Sequence, residues 1–220
     1  MFMKILKSHS GWSMLLVIVF VVGILGGCSS SSSDGYFGVN GSVKTWAEYT
    51  DDALGVTLQY PDILNYKKQS NDGHFHLDFS GDLFPSGRSF VGGMGGPTPL
   101  IFSFDVFDRT TDGTSVFGIE HYIQDKNILD TRENSLKIGE NDFKNTQYLL
   151  SAPEGAQQFL TVFETEKNGK MYAFVFTYNI GGCDVVPEKA QEDCREEMEI
   201  YKKDNTEIIH KILETFGVKD

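Results

Sequence analysis

The chain has 220 residues, with 31 acidic against 19 basic side chains and a formal charge of −12. That balance excludes nucleic-acid binding by phosphate neutralisation, which needs clustered Lys and Arg. It equally excludes electrostatic adhesion to an anionic lipid surface.

Lys4 and Lys7 open the chain as a positive segment, and "MLLVIVFVVGIL" (14–25) follows as an apolar run. A spanning helix needs about 20 apolar residues, so this run is short for one and fits the core of an export signal. It ends in "LGGC", one hydrophobic and two small residues directly before Cys28. This resembles the lipobox of bacterial lipoproteins. The resemblance implies diacylglyceryl addition to the Cys28 sulfur, cleavage before it, and acylation (palmitate or a similar chain) of the new N-terminus. The alternative is an uncleaved N-terminal anchor. Removing residues 1–27 takes away Lys4 and Lys7 and no acid, moving the charge from −12 to −14. The expected location is the cell membrane or outer membrane, held by lipid, with the domain outside the cytoplasm.

Three cysteines are an odd number for an exported protein. Assigning Cys28 to lipid leaves Cys183 and Cys194, which can pair and stay oxidised outside the cytoplasm. A two-cysteine metal site is less suited, because "CDVVPEKAQEDC" contains no histidine.

A serine run grading into glycine, "SSSSSDGYFGVNGS", follows Cys28 and reads as a flexible tether over 28–45. The remainder, 46–220, is of single-domain length. Within it "VTLQYP" (56–61) alternates as a strand, as does "HFHLDF" from His74. "LIFSFDVFD" (100–108) puts Phe102, Phe104 and Val106 on one face. "SVFGIEHYIQDKNIL" (115–129) spaces Val116, Ile119 and Ile123 as a helix, capped by Thr114 or Ser115. Strands at 157–165 and 170–178 flank Asn168-Gly169, the composition of a type I′ hairpin turn. The second is apolar on both faces, which predicts a central strand with helices above and below. "NTEIIHKILETF" aligns Ile208, Ile209, Ile212, Leu213 and Phe216 along one helical stripe that stops at Gly217.

The order of these pieces carries a second resemblance. A strand ending in Tyr-Pro ("LGVTLQYP") precedes a helix, a "KIGENDFKNTQYLL" strand, the hairpin "QFLTVFETEKNGKMYAFVFTY" and a closing helix ending in Phe. It looks like the PsbP-like fold shared with the Mog family, and it covers most of residues 46–217. The implied fold is α+β, an α/β/α sandwich whose central antiparallel sheet of about six strands is flanked by helices. The Trp often found after Tyr-Pro in such domains is missing from "YPDILNY". The resemblance implies a bacterial, non-enzymatic accessory or assembly factor with a protein partner. It carries over no functional residue.

The chemistry-bearing stretch is "GHFHLDFSGD" (73–82), where His74, His76 and Asp78 share one strand face. Residues i and i+2 are about 6.6 Å apart and i to i+4 about 13 Å, while zinc lies about 2 Å from each ligand atom. His74 and His76 can therefore share an ion that Asp78 hardly reaches, and a neighbouring strand must supply the next ligand. Asp105, on the outer side of its strand with Ser103, is the candidate. A metal-binding lipoprotein using zinc or copper at His74, His76 and Asp105 is thus the alternative to a protein-binding module without cofactor. The simpler account of the same residues is a solvated sheet face.

The glycine-rich "VGGMGGPTP" (91–99) leads into a strand and lacks a following helix or Walker-type Lys, so it reads as a surface loop. No Gly-x-Ser-x-Gly or His-Glu-x-x-His motif is present. His121 and His210 fall on the polar sides of expected helices. "EKAQEDCREEME" (188–199) and "DRTTDGTS" (108–115) lack the ligand spacing of a calcium loop.

Overall fold

The structure, a computed structural model, describes residues 37–39, 43, 45–71, 73–84, 88–90, 97–108, 123, 127–151, 156–185 and 187–219. The export signal, Cys28 and most of the serine tether lie outside these residues. So do 91–96 of the glycine-rich segment and 109–122 with 124–126, which hold most of the helix expected at 115–129.

In chain order the strands are β1 (Phe37–Val39), β2 (Trp46–Asp51), β3 (Val56–Pro61), β4 (Asn65–Asn71), β5 (His74–Ser80) and β6 (Arg88–Phe90). After these come β7 (Ile101–Asp108), β8 (Ile128–Ile138), β9 (Asn141–Ser151), β10 (Gln157–Lys167) and β11 (Lys170–Ile180). The long helix α1 (Gln191–Glu214) and the two-residue β12 (Gly217–Val218) complete the chain. Seven strands form one antiparallel sheet in the order β4-β5-β7-β11-β10-β9-β8, and β12-β3-β2 form a second. β1 pairs separately with β6.

This corrects the expected α/β/α sandwich. Among the described residues the protein is mostly strand, and the helix that packs on the large sheet is α1. Central β11 is indeed buried on both sides, but different material does the covering. Tyr172, Phe174, Phe176 and Tyr178 face a large core shared with Leu58 and Tyr60 of the small sheet and with Ile208, Ile209, Ile212 and Leu213 of α1. One face is thus closed by a sheet and a helix together. Ala173 and Val175 face a smaller cluster with Leu150, Leu160 and Val162, beside which Phe107, Ile123 and Tyr148 pack. The C-terminal end of the helix expected at 115–129 is strand: Ile128 and Leu129 begin β8.

A second correction concerns "KIGENDFKNTQYLL". The segment turns at Gly139-Glu140 and splits between β8 and β9. Gly139 has φ of 59°, a left-handed conformation suited to glycine. A Cβ there would come 3.0 Å from the Glu214 carbonyl oxygen, so the turn sits tight against the end of α1. Asn141 Nδ2 fastens it by donating to the Phe216 carbonyl at 2.9 Å. The Asn168-Gly169 hairpin forms with positive φ at both residues, 52° and 73°, as a type I′ turn requires.

The core is aromatic. Phe79 stacks on Phe102 with centroids 4.2 Å apart, Phe102 on Phe176 at 5.3 Å, and Phe104 meets Phe174 at 4.7 Å. Such contacts add about 0.5–1.5 kcal/mol each beyond simple burial. Phe216 reaches the same cluster from the chain end, 5.0 Å from Phe174. Helix α1 ends at Glu214 rather than at Gly217, which opens β12. There a Cβ would lie 3.0 Å from Thr57 Oγ1, so Gly217 serves the close approach of β12 to β3.

Cys183 and Cys194 are disulfide-bonded with Cα atoms 5.8 Å apart, and the bridge is buried beside Met198. It pins the short turn after β11 to the first turn of α1, where Glu192 and Asp193 also offset the helix dipole. Replacing both cysteines with alanine should lower stability by about 2–3 kcal/mol, the scale for a short closed loop. Denaturant unfolding checks this, and reducing agent should reproduce the loss in the unaltered protein.

Candidate functional site

Strand β5 alternates because Phe75, Leu77 and Phe79 are drawn into the large core while His74, His76 and Asp78 take the opposite side. Its neighbour β7 does the same, with Phe102, Phe104 and Val106 in the core and Ser103 and Asp105 on the other face. Antiparallel pairing sets His76 directly opposite Asp105, His74 opposite Phe107, and Asp78 opposite Ser103.

Three of these side chains converge. Asp105 Oδ1 lies 2.8 Å from His74 Nε2 and 2.7 Å from His76 Nδ1. A carboxylate oxygen only accepts, so in this arrangement each ring nitrogen donates to it. Potential ligand atoms of His74, His76 and Asp105 all lie within 4.8 Å of one another, the one such group of three among the described residues. Asp78 is not in the group. Exposure differs sharply within it: Asp105 is 2% exposed, His74 18% and His76 25%. The carboxylate is thus sunk into the sheet and the two rings form its outer rim. Ser103 Oγ approaches Asp105 Oδ2 at 3.4 Å, a long contact that leaves this oxygen weakly served.

A cavity of about 280 Å³ opens beside His74 at this end of the sheet, with Lys68, Asp51, Asp108 and Lys170 among its walls. His74 is the only member of the group that lines it. The cavity wall is organised by Asp51, at the end of β2. Its Oδ1 accepts the Ala53 and Leu54 N–H groups at 3.0 and 3.1 Å. Its Oδ2 accepts Lys68 Nζ at 2.6 Å and the Tyr49 hydroxyl at 3.2 Å. Burial pushes the Asp51 carboxyl up, but the Lys68 hydrogen bond, the Leu54 N–H, the Lys68 charge and Tyr49 together outweigh it. The result is a carboxyl below its ordinary value. Burial first, then the neighbouring Asp51 charge, raises the Tyr49 hydroxyl well above its own. Neither Asp51 nor Lys68 is distinguishable in the sequence, since their pairing joins two separate sheets.

Among the remaining sequence candidates, His210 is exposed on α1, as its polar position implies, and His121 lies outside the described residues. The acidic run 188–199 falls at the start of α1, where it favours the helix. No described helix is long and apolar enough to cross a membrane.

No protein-family model matches the chain, and no curated protein sequence does either. Solved structures do resemble it at low identity. A Bacteroides thetaiotaomicron protein is 14% identical over 76% of this chain, with a TM-score of 0.36; the chain spans 46% of that protein's length. The cyanobacterial PsbP of Synechocystis sp. PCC 6803 is 11% identical, with a TM-score of 0.42, covering 83% of this chain and 98% of its own. The Saccharomyces cerevisiae Ran-binding protein Mog1p is 12% identical, with a TM-score of 0.41, covering 80% of this chain and 96% of its own. All three share under 15% of their residues with this chain, at TM-scores below 0.5.

Proposed function

We propose that this chain is a lipid-anchored, non-catalytic protein of the cell envelope whose single domain acts by contacting another protein. The observation that carries the proposal is the division of the three cysteines. Cys183 and Cys194 bond to each other, which leaves Cys28, at the end of "LGGC", as the one thiol with a different use. A disulfide is at home outside the cytoplasm, and so is a lipidated cysteine. Each buried methylene contributes about 0.8 kcal/mol to anchoring, so two or three acyl chains hold a protein at the membrane where one does not. The serine run then lets the acidic domain reach away from the bilayer.

Intact mass of the protein purified from membranes tests the anchor. The expected species begins at Cys28 and carries the added mass of acyl chains, and Cys28→Ser loses all incorporation of a labelled fatty acid. A chain retaining residues 1–27, or an unmodified Cys28 sulfur, sinks the anchoring. The contact role is checked by crosslinking the lipidated protein in its own envelope. A reproducible stoichiometric protein adduct is expected, and crosslinking only to itself or to nothing counts against it.

A further inference from the structure

We propose that His74, His76 and Asp105 form a binding site for one divalent transition-metal ion of the zinc or copper(II) class. Two imidazoles and one carboxylate suit such ions and suit magnesium or calcium poorly, since those prefer all-oxygen shells. This does not depend on the lipid anchor or on a protein partner.

The geometry is close to what an ion needs. With metal–ligand bonds of about 2.0–2.1 Å, tetrahedral ligand atoms stand roughly 3.3–3.4 Å apart. Here the two His–Asp separations are 2.7 and 2.8 Å, and no pair of ligand atoms exceeds 4.8 Å. Those values bracket the requirement. An ion entering between the rings would push the carboxylate back by about half an ångström and draw the rings together, a side-chain adjustment that leaves the backbone in place.

Three features favour a cation over a plain polar face. First, the carboxylate is 2% exposed between His76 of β5 and Ala173 of β11, and a carboxylate taken out of water needs a strong counterpart. Second, among the described residues its Oδ2 has only the 3.4 Å Ser103 contact, while Oδ1 is crowded by two rings that each offer a nitrogen. Third, the donors are held by the register of paired strands: His76 sits directly across from Asp105, and His74 follows two residues along the same face. Rigid strands hold a ligand set more accurately than loops do. Three protein ligands leave a coordination position for water or an incoming donor, the pattern of an open site rather than a closed structural one. The partial exposure of both rings gives the ion a route in.

The test is zinc titration of the full-length, detergent-purified protein without a polyhistidine tag, stripped beforehand with a chelator. The expected result is one equivalent of zinc that a large excess of calcium or magnesium does not displace. Zinc at roughly 100-fold excess over its Kd should raise the melting temperature by about 5–10 °C. His74→Gln and His76→Gln should each weaken binding by more than about 10-fold, since even loss of an outer partner costs that much. His210→Gln should bind as the unaltered protein does. Both rings lie at the surface rim, so these glutamine variants should fold; a melting curve in chelator confirms it. Asp105→Asn adds a test of the buried ligand. Absence of stoichiometric zinc binding, undiminished binding in the His74→Gln/His76→Gln double variant, or displacement by equal calcium would each overturn the site.

Discussion

Replacing Phe104 with alanine should lower the unfolding free energy by about 3–5 kcal/mol, the range for emptying a fully buried aromatic position. Phe104 is completely buried on β7. It lies across from Phe174 on one side and Leu77 on the other. Its ring is 4.7 Å from Phe174 and 5.7 Å from Phe216, with Phe75 and Tyr172 each at 6.4 Å. It therefore joins both flanking strands to the chain end, and no single neighbour can collapse into the space it leaves. For a domain of this size the melting temperature should fall by about 10–15 °C. Ile101→Ala on the same strand is the control: Ile101 is 37% exposed, and its loss should cost well under about 1 kcal/mol. Thermal unfolding followed by circular dichroism separates the two. A Phe104→Ala protein as stable as Ile101→Ala would show that the aromatic cluster does not hold the sheets together.

Asp51→Ala should be the most damaging polar substitution, at about 3–4 kcal/mol near neutral pH. It removes the acceptor of two turn N–H groups and of the Lys68 ammonium at once, and hydrogen bonds to charged groups are worth about 1.5–3 kcal/mol each. Asp51→Asn should cost less, because its amide oxygen still accepts from Ala53 and Leu54 while its NH2 faces two donors. The pH dependence has a definite sign. The Asp51 carboxyl is held below its ordinary value of 3.8, so its contribution is fully present above that pH. It is lost as pH falls through the depressed folded-state value. The gap in stability between the unaltered protein and Asp51→Asn should therefore be wide at pH 7 and shrink in acid below about pH 4. A gap constant across that range would mean the Lys68 pair adds nothing.

Much of this architecture is readable where one face alone decides the pattern. β5 alternates because its core side takes Phe75, Leu77 and Phe79, and Asn168-Gly169 announces its hairpin through backbone chemistry that few other pairs satisfy. The helical stripe from Ile208 to Leu213 is equally plain. β4 was invisible for the opposite reason: from Tyr66 to Ser70 its described side chains are all exposed, so no apolar alternation marks it. The β8–β9 turn was hidden because Gly139-Glu140 lies inside an otherwise continuous strand-like run. Apolar residues on both sides of β11 were legible, but not what covers them. A helix and a small sheet exert the same demand on the buried side chain, so periodicity cannot tell them apart. At the candidate site the two histidines share a strand face by simple alternation, and Asp105 stands on the equivalent face of another strand. What joins them is register, and register between strands so distant in sequence is fixed by packing that no local motif records.

The placement of Phe216 and of β12 bears on how the protein is made. Phe216 packs among rings from β7, β9 and β11, and the Lys219 N–H donates to Gly55 at 2.7 Å from the far end of the chain. During synthesis the aromatic interior stays unsealed until Phe216 has emerged. A chain cut before Phe216 would therefore leave rings of β7, β9 and β11 uncovered, and would be a sticky, unfinished molecule rather than a slightly shorter native one.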